Sequence, residues 1–516
     1  MNLRQRDSKQ LKPIGESAKF QPRIGVPQVL INMHRRTVTA LKIVALFTLF
    51  PLAVTAKAQT GTPTATVNWS DVQQTIDGWG AQDWGYGDNL TPTQADQFFS
   101  PTAGIGLAYL RTQVTFDNLS CTPQPSCGIP DLVTIQEATA RGAKIWLELQ
   151  SPPCNMKHSF VDLGEACPAS WNDSFTGPPG WNDGTAGTSS VCYANSFSLA
   201  TGNTQYAANV VNILQNYAAS GITVSVLGIT NEPNSNPVSL AACQWSSGTN
   251  IANFIKVLSP ALAAAGFTPQ LLMPQAFNWF NSDYASACLN DVTCAPFVSI
   301  VAGHGYGYPF TPTPFPLGTS GGRHLWLSET GDQSSTFDGS ISNGLTWATN
   351  IHNFLTVANV SAADWWELGY GAVAGGGLAN GGLMANDLTT VAKRFYIQGQ
   401  WSRFVRPSWV RIGATATPVS GVFVTAFKAP VSGNFAIVAV NQSSSGQPLE
   451  FALNGFTASS VTPWVTSASL SLTQQPSISA TADTFSDTLP ASSVTTFVSA
   501  SSAALLPPTN LHATVH

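Results

Sequence analysis

Charge is what this chain of 516 residues has least of. Asp, Glu, Lys and Arg make up 9% of it, against about 25% in an ordinary soluble domain. Its cations are also unevenly placed. Of 22 Lys and Arg, 10 lie in residues 1–58, where only Asp7 and Glu16 oppose them, which leaves 12 basic against 25 acidic residues beyond that point, a net of −13. Such a surface excludes nucleic acid and anionic membrane as partners. No Cys-x-x-Cys pair occurs, and neither metal nor cofactor is expected. Long apolar runs are missing as well. Residues 43–54 form an apolar stretch, but Pro51 breaks it and it is short for a membrane span.

That stretch has another reading. Met33-His34-Arg35-Arg36 supplies a positive segment ahead of it, and Ala56-Lys57-Ala58 supplies a small-x-small cleavage site after it. Residues 1–58 are therefore expected to be an export segment, with Met33 as a possible true start and Gln59 as the new terminus. All eight cysteines follow it, at positions 121, 127, 154, 167, 192, 243, 288 and 294. An even count in an exported chain reads as disulfides. Cys121/Cys127 and Cys288/Cys294 are spaced as loop staples, and the other pairings stay open. Gly, Ser, Thr, Asn and 15 Trp fill the place of the missing charge. This composition suits a secreted protein that handles an uncharged polar polymer such as a polysaccharide.

Eight short β-rich runs, at residues 75–80, 108–115, 144–150, 223–230, 270–274, 298–303, 324–328 and 362–366, recur between segments of helical spacing. Eight strands alternating with helices predict an α/β fold, a closed parallel (β/α)8 TIM barrel over residues 74–402. After residue 402 the texture becomes alternating strands with Ser, Gly and Pro turns. This predicts an antiparallel β-sandwich over 403–500, joined by a strand from residues 59–73. Residues 501–516 read as a tail or clipped linker.

In such a barrel chemistry collects where the strands end. The fourth run ends in Thr230-Asn231-Glu232-Pro233 and the seventh ends in Glu329. Only seven glutamates follow residue 58: Glu137, Glu148, Glu165, Glu232, Glu329, Glu367 and Glu450. Glu137 falls on a helical segment, Glu165 in a Cys-rich loop and Glu450 in the β-domain. Glu148 and Glu367 sit on strands three and eight, where a site role and a plain structural role both fit. Two carboxylates converging from strands four and seven are what glycoside hydrolysis requires, one protonated and one ionised.

The chain resembles glycoside hydrolase family 30 through Ile76-Asp77-Gly78-Trp79-Gly80, Leu110-Arg111, Ser151-Pro152-Pro153, Thr230-Asn231-Glu232-Pro233, Leu327-Ser328-Glu329 and Trp365-Trp366. Arg403-Phe404-Val405-Arg406-Pro407 and the segment 489–497 extend the likeness to that family's side β-sandwich and to its bacterial xylanase branch. The resemblance covers roughly residues 64–500. It implies a retaining endo-β-glycanase, with Glu232 as acid/base and Glu329 as nucleophile. It further implies that Asn231 holds the sugar 2-hydroxyl, that Tyr306 bonds near Glu329, and that Trp366 floors the −1 subsite. Trp84 and His304 join the substrate-binding set, while Arg111 supports the carboxylates. A monomer acting on a xylan-type β-glycan is expected. Two other readings stand beside it. One is another activity of the family: endo-β-1,6-glucanase, β-1,6-galactanase or a glucosylceramidase-like β-glucosidase. The other is a non-catalytic polysaccharide-binding protein. The chain departs from the family at Glu148-Leu149-Gln150-Ser151-Pro152-Pro153, where a subsite Trp is lost. It departs again at Pro274-Gln275, where relatives often carry an acid.

Overall fold

Strand β1 (Thr64–Thr75) opens the fold and belongs to no barrel. In this computed structural model the described residues are 61–499 without 84–88, 115–128, 130, 151–156, 159–190, 193–199, 235–243, 246, 280–281, 307–311, 370–379 and 482; beyond 499 only 504–505 are described. The export segment, Trp84, Ser151-Pro152-Pro153 and Cys121/Cys127 therefore lie outside them.

Eight strands follow as a closed ring: β2 (Gly78–Gln82), β3 (Tyr109–Val114), β4 (Lys144–Leu149), β5 (Val224–Gly228), β6 (Gln270–Ala276), β7 (Val298–His304), β8 (His324–Thr330) and β9 (Ala362–Trp365). Every neighbouring pair is parallel, and ring order equals chain order. Helices return the chain between strands: α1 (Pro92–Phe99), α2 (Leu132–Ala140), α3 (Ala200–Ala219), α4 (Gly248–Ala264), α5 (Ser282–Leu289) and α6 (Ile341–Asn353). Local chemistry sets their starts. Thr91 and Gln94 form a capping box ahead of Pro92, which can occupy a first-turn position because its absent N–H is not needed there.

Strand alternation sorts the side chains. On β4, Ile145, Leu147 and Leu149 join the core under the helices, while Trp146 turns into the barrel and packs edge-on against Trp326. Glu148 shares the parity of Trp146 and is fully buried. Gly228 makes room for it: a Cβ there would stand 2.0 Å from Glu148 Oε2. Apolar Trp and aliphatic side chains thus plug the lower barrel and polar groups fill the layer above.

The second sheet is built from β10 (Val410–Ala414), β11 (Val422–Lys428), β12 (Phe435–Asn441), β13 (Gln447–Asn454), β14 (Ser460–Thr466), β15 (Thr473–Gln474), β16 (Ile478–Ser479), β17 (Thr484–Leu489) and β18 (Ser493–Ser499). With β1 they form one ten-stranded sheet in the order β15-β14-β18-β12-β11-β10-β1-β13-β17, with β16 beside β14. Pairing is antiparallel except for β1 with β13. Where a sandwich was expected, hydrogen bonding runs unbroken through one sheet. Its ends still share a core, in which Val67, Ile437, Phe451, Phe485 and Phe497 meet. The opposite face packs on the barrel. Phe427, Val438 and Val440 enter the same core as Trp79 and Trp401, the latter on α7 (Lys393–Ser402).

Sequence reading begins the first barrel strand at residue 75, whereas Thr75 ends β1. The change of sheet falls between them: Ile76 N–H donates to Trp409 O in the sheet region, and Asp77 N–H donates to Ser361 O at the barrel. Cys288 and Cys294 form the expected staple.

Candidate active site

Arg111 stands at the centre of the polar layer. It alternates inward from β3, fully buried, with its guanidinium 5.0 Å from the centre of the Trp146 ring. Burial opposes its charge, but Glu329, Glu148 and Asp364 more than restore it. Nη1 donates to Glu329 Oε2, Nη2 donates to Asn231 Oδ1 at 3.0 Å, and Nε lies 3.7 Å from Glu148 Oε2. One side chain thus touches residues from β4, β8 and the turn after β5.

Glu329 reaches this place through an irregularity. Leu325 and Leu327 face the helices, so strict alternation would send Glu329 the same way. Between Gly303 and His304 β7 advances one residue while β8 advances two, from Leu327 to Glu329. The extra residue is a bulge that re-aims the carboxylate into the barrel mouth. There Tyr306 donates its hydroxyl to Glu329 Oε1 at 2.7 Å. Burial pushes the Glu329 pKa up, yet the facing His304 and Arg111, with the bonds from Arg111 and Tyr306, hold it below the ordinary value. Glu329 is therefore ionised at neutral pH.

Glu232 follows β5 with φ of 46°, and its backbone N–H donates to Gln275 O at 3.0 Å. Its Oε1 lies 3.0 Å from His304 Nδ1, and His304 Nε2 is 3.6 Å from Glu329 Oε2. His304 is fully buried between the two carboxylates. One oxygen of Glu232, one of Glu329 and a His304 nitrogen all lie within 4.8 Å of one another. Among the described residues this is the grouping whose spacing could also hold a metal ion. The guanidinium already bonded to Glu329 speaks against a cation there, since it would share the carboxylate with a like charge.

Three further acids line the same layer. Burial pushes Glu148 up to about 8, despite Arg111 nearby and the bond from Gln275. Asp364 and Glu367 are raised well above the ordinary range, again chiefly by burial. Glu367 is 1% exposed. Its strand-end position therefore does not leave it in solvent. Trp366, half-buried beside it, ends β9 through a cis peptide to Glu367. Sequence reading missed Asp364. The inward parity of β9 was the available signal for Asp364, since Ala362, two residues earlier, lines the lumen.

A closed parallel barrel with paired carboxylates at the C-terminal ends of its fourth and seventh strands defines a glycoside hydrolase. No family model matches the chain. Relatives are nonetheless evident. Glucuronoxylanase XynC of Bacillus subtilis (strain 168) is 25% identical over 443 residues, which cover 84% of this chain and 91% of the relative. The crystal structure of Xyn30A from Clostridium acetobutylicum, a glycoside hydrolase family 30 subfamily 8 xylanase, superposes with a TM-score of 0.70 at 26% identity, over 84% of this chain and 99% of that one. A family 30 endoxylanase from Clostridium papyrosolvens C71 shares the fold with a TM-score of 0.67 at 23% identity, over 84% of this chain and 99% of that one. In sequence and in fold the chain is thus similar to glycoside hydrolase family 30 enzymes, and to their xylanase branch.

Proposed function

We propose that this protein is a secreted, monomeric, retaining endo-β-1,4-xylanase that needs no metal. The observation that carries this reading is the carboxylate pair: oxygens of Glu232 and Glu329 within 4.8 Å, close to the roughly 5–5.5 Å of retaining enzymes rather than the 6.5–9.5 Å of inverting ones. Glu329, ionised and held at both oxygens, attacks the anomeric carbon. Glu232 protonates the leaving oxygen and then, as its anion, draws a proton from the water that releases the sugar. His304 joins the two carboxylates and orients Glu232. Asn231, fixed by Arg111, presents its amide to the sugar 2-hydroxyl, and Trp366 supplies apolar sugar-facing surface; Trp84, outside the described residues, is assigned to substrate binding on the family resemblance alone.

The test separates the two roles. Glu329→Ala abolishes turnover of every substrate, whereas Glu232→Ala keeps more activity on aryl glycosides whose leaving group needs no proton. Equal losses on both substrate types would sink the assignment.

We further propose that cleavage does not depend on glucuronate side chains, unlike what the name of the Bacillus relative states for that enzyme. No Lys or Arg occurs between Arg323 and Lys393, so no cation from that stretch can pair with a uronate after the strand-eight Trp pair. Glu367 is buried, with its pKa raised well above the ordinary value chiefly by desolvation, so the reading rests on the missing cation rather than on repulsion. A lost charge-assisted pair removes roughly 1.5–3 kcal/mol of discrimination, about ten-fold or more. Linear or arabinose-bearing xylan should be cut as readily as glucuronoxylan. Mass spectrometry decides: one glucuronate at a fixed place in every product would refute the proposal. Export rests on residues 33–58; no helix among the described residues is long and apolar enough to cross a membrane.

A further inference from the structure

Gln275 lies beneath the carboxylate pair, at the end of β6, and its side chain is fully buried. Its amide nitrogen donates to Glu148 Oε2 at 2.7 Å and to Thr230 O at 2.7 Å. Its backbone carbonyl accepts the Glu232 backbone N–H, and its φ is 58°. A primary amide has two hydrogens, and both are used. Glu148 in turn faces Arg111 Nε, and Arg111 holds Glu329 and Asn231. The contacts therefore run in one chain from the Glu232 backbone through Gln275, Glu148 and Arg111 to Glu329.

From this geometry we infer that Gln275 is a positioning residue that ties the two carboxylates together through donors that never titrate. The inference rests on the roles proposed above for Glu232 and Glu329. The groups that face this link are Gln275 from β6, Glu148 from β4, Arg111 from β3, Glu329 from β8, Asp364 from β9 and Tyr206 from α3. Burial pushes Glu148 up to about 8. Losing its proton leaves the amide link intact, because a carboxylate accepts the same bond more strongly. A carboxyl group at position 275 would behave differently. It could bond Glu148 and Thr230 O only while protons remained on the pair, and two carboxylates in contact resist losing the last one.

The test compares Gln275→Glu and Gln275→Leu with the parent in the full chain, measuring kcat, KM and Tm from pH 5 to 10. Gln275→Leu is expected to lower kcat about ten-fold or more at every pH while KM changes about two-fold or less, the signature of misplaced reacting groups. Gln275→Glu is expected to match the parent near pH 5–6 and to lose about ten-fold or more by pH 9, its alkaline limb moved down by about one unit or more. A Gln275→Glu profile parallel to the parent's overturns the inference. So does equal impairment of Gln275→Glu at pH 6 and pH 9, or a parental kcat in Gln275→Leu. If Gln275→Leu does not fold, the Gln275→Glu profile decides alone. Should the parent cleave no xylan, the functional reading fails separately, and the Tm series still reads the link. The Gln275→Glu deficit must then widen as pH rises above the ordinary Glu range, and a constant deficit refutes it.

Discussion

Glu329 and Glu148 are both buried in one polar layer, yet the first is held ionised and the second near neutrality by titration at about 8. Desolvation acts on both alike. What separates them is partners: Glu329 receives bonds from Arg111 and Tyr306 and faces His304, whereas Glu148 receives one amide bond and a guanidinium edge at 3.7 Å. Arg111 should therefore set the acid limb of the pH profile. Its replacement by Met removes a cation from Glu329, raises that pKa, and moves the acid limb of kcat/KM to higher pH. The ionised fraction is then lost at a pH where the parent still works. An accompanying fall in kcat of roughly 10²-fold is expected, as for loss of one preorganised charge-bearing donor. An unchanged acid limb would show that Tyr306 and His304 suffice.

At the level of elements, the opposite end of the barrel carries a different device. Asp77, just ahead of β2, accepts from the Trp326 indole at 2.6 Å and faces His324 Nδ1 at 2.8 Å. It closes the ring where β8 starts, near the join between β1 and the barrel. The bond to Asp77 raises the His324 pKa, against burial, which lowers it. A raised histidine stabilises the fold fully below its unfolded value of about 6.5 and loses that contribution as pH rises through the folded value. His324→Asn should thus cost more Tm at pH 5.5 than at pH 9. His324 is partly exposed, so the effect will be modest. Equal losses at both pH values would contradict it. Elements were also what the sequence made most legible. All eight barrel strands fall close to the expected runs, because buried parallel strands need apolar β-branched stretches and helices need another period. Glu232 and Glu329 were readable as strand ends among very few glutamates. Three features were not readable. The bulge that turns Glu329 inward leaves no trace in alternation. The continuation of β1 to Thr75 runs through Ser70-Asp71-Val72-Gln73-Gln74, which carries no strand pattern. The Arg111–Glu148–Gln275 link joins three strands whose pairing exists only once the ring has closed.

Across the molecule, the sheet and the barrel share one apolar core, with Phe427, Val438, Val440 and Val494 packed alongside Trp79, Trp401 and Val405. Hydrogen bonds reinforce it, from Trp401 Nε1 to Thr425 and from Gln400 to Thr466. Neither part can leave the other without exposing buried aromatics, so calorimetry of residues 59–516 should record one unfolding transition. Two separated transitions would mean the shared core contributes little coupling. The same union has a consequence for how the chain is made. β1 leaves the ribosome ahead of every other described strand, but its two sheet neighbours, β10 and β13, begin only at Val410 and Gln447. At about 5–20 residues per second that is a wait of roughly 20–70 s. For that interval both edges of a twelve-residue strand lack their partners, which makes the nascent chain a client for whatever shields unpaired strands.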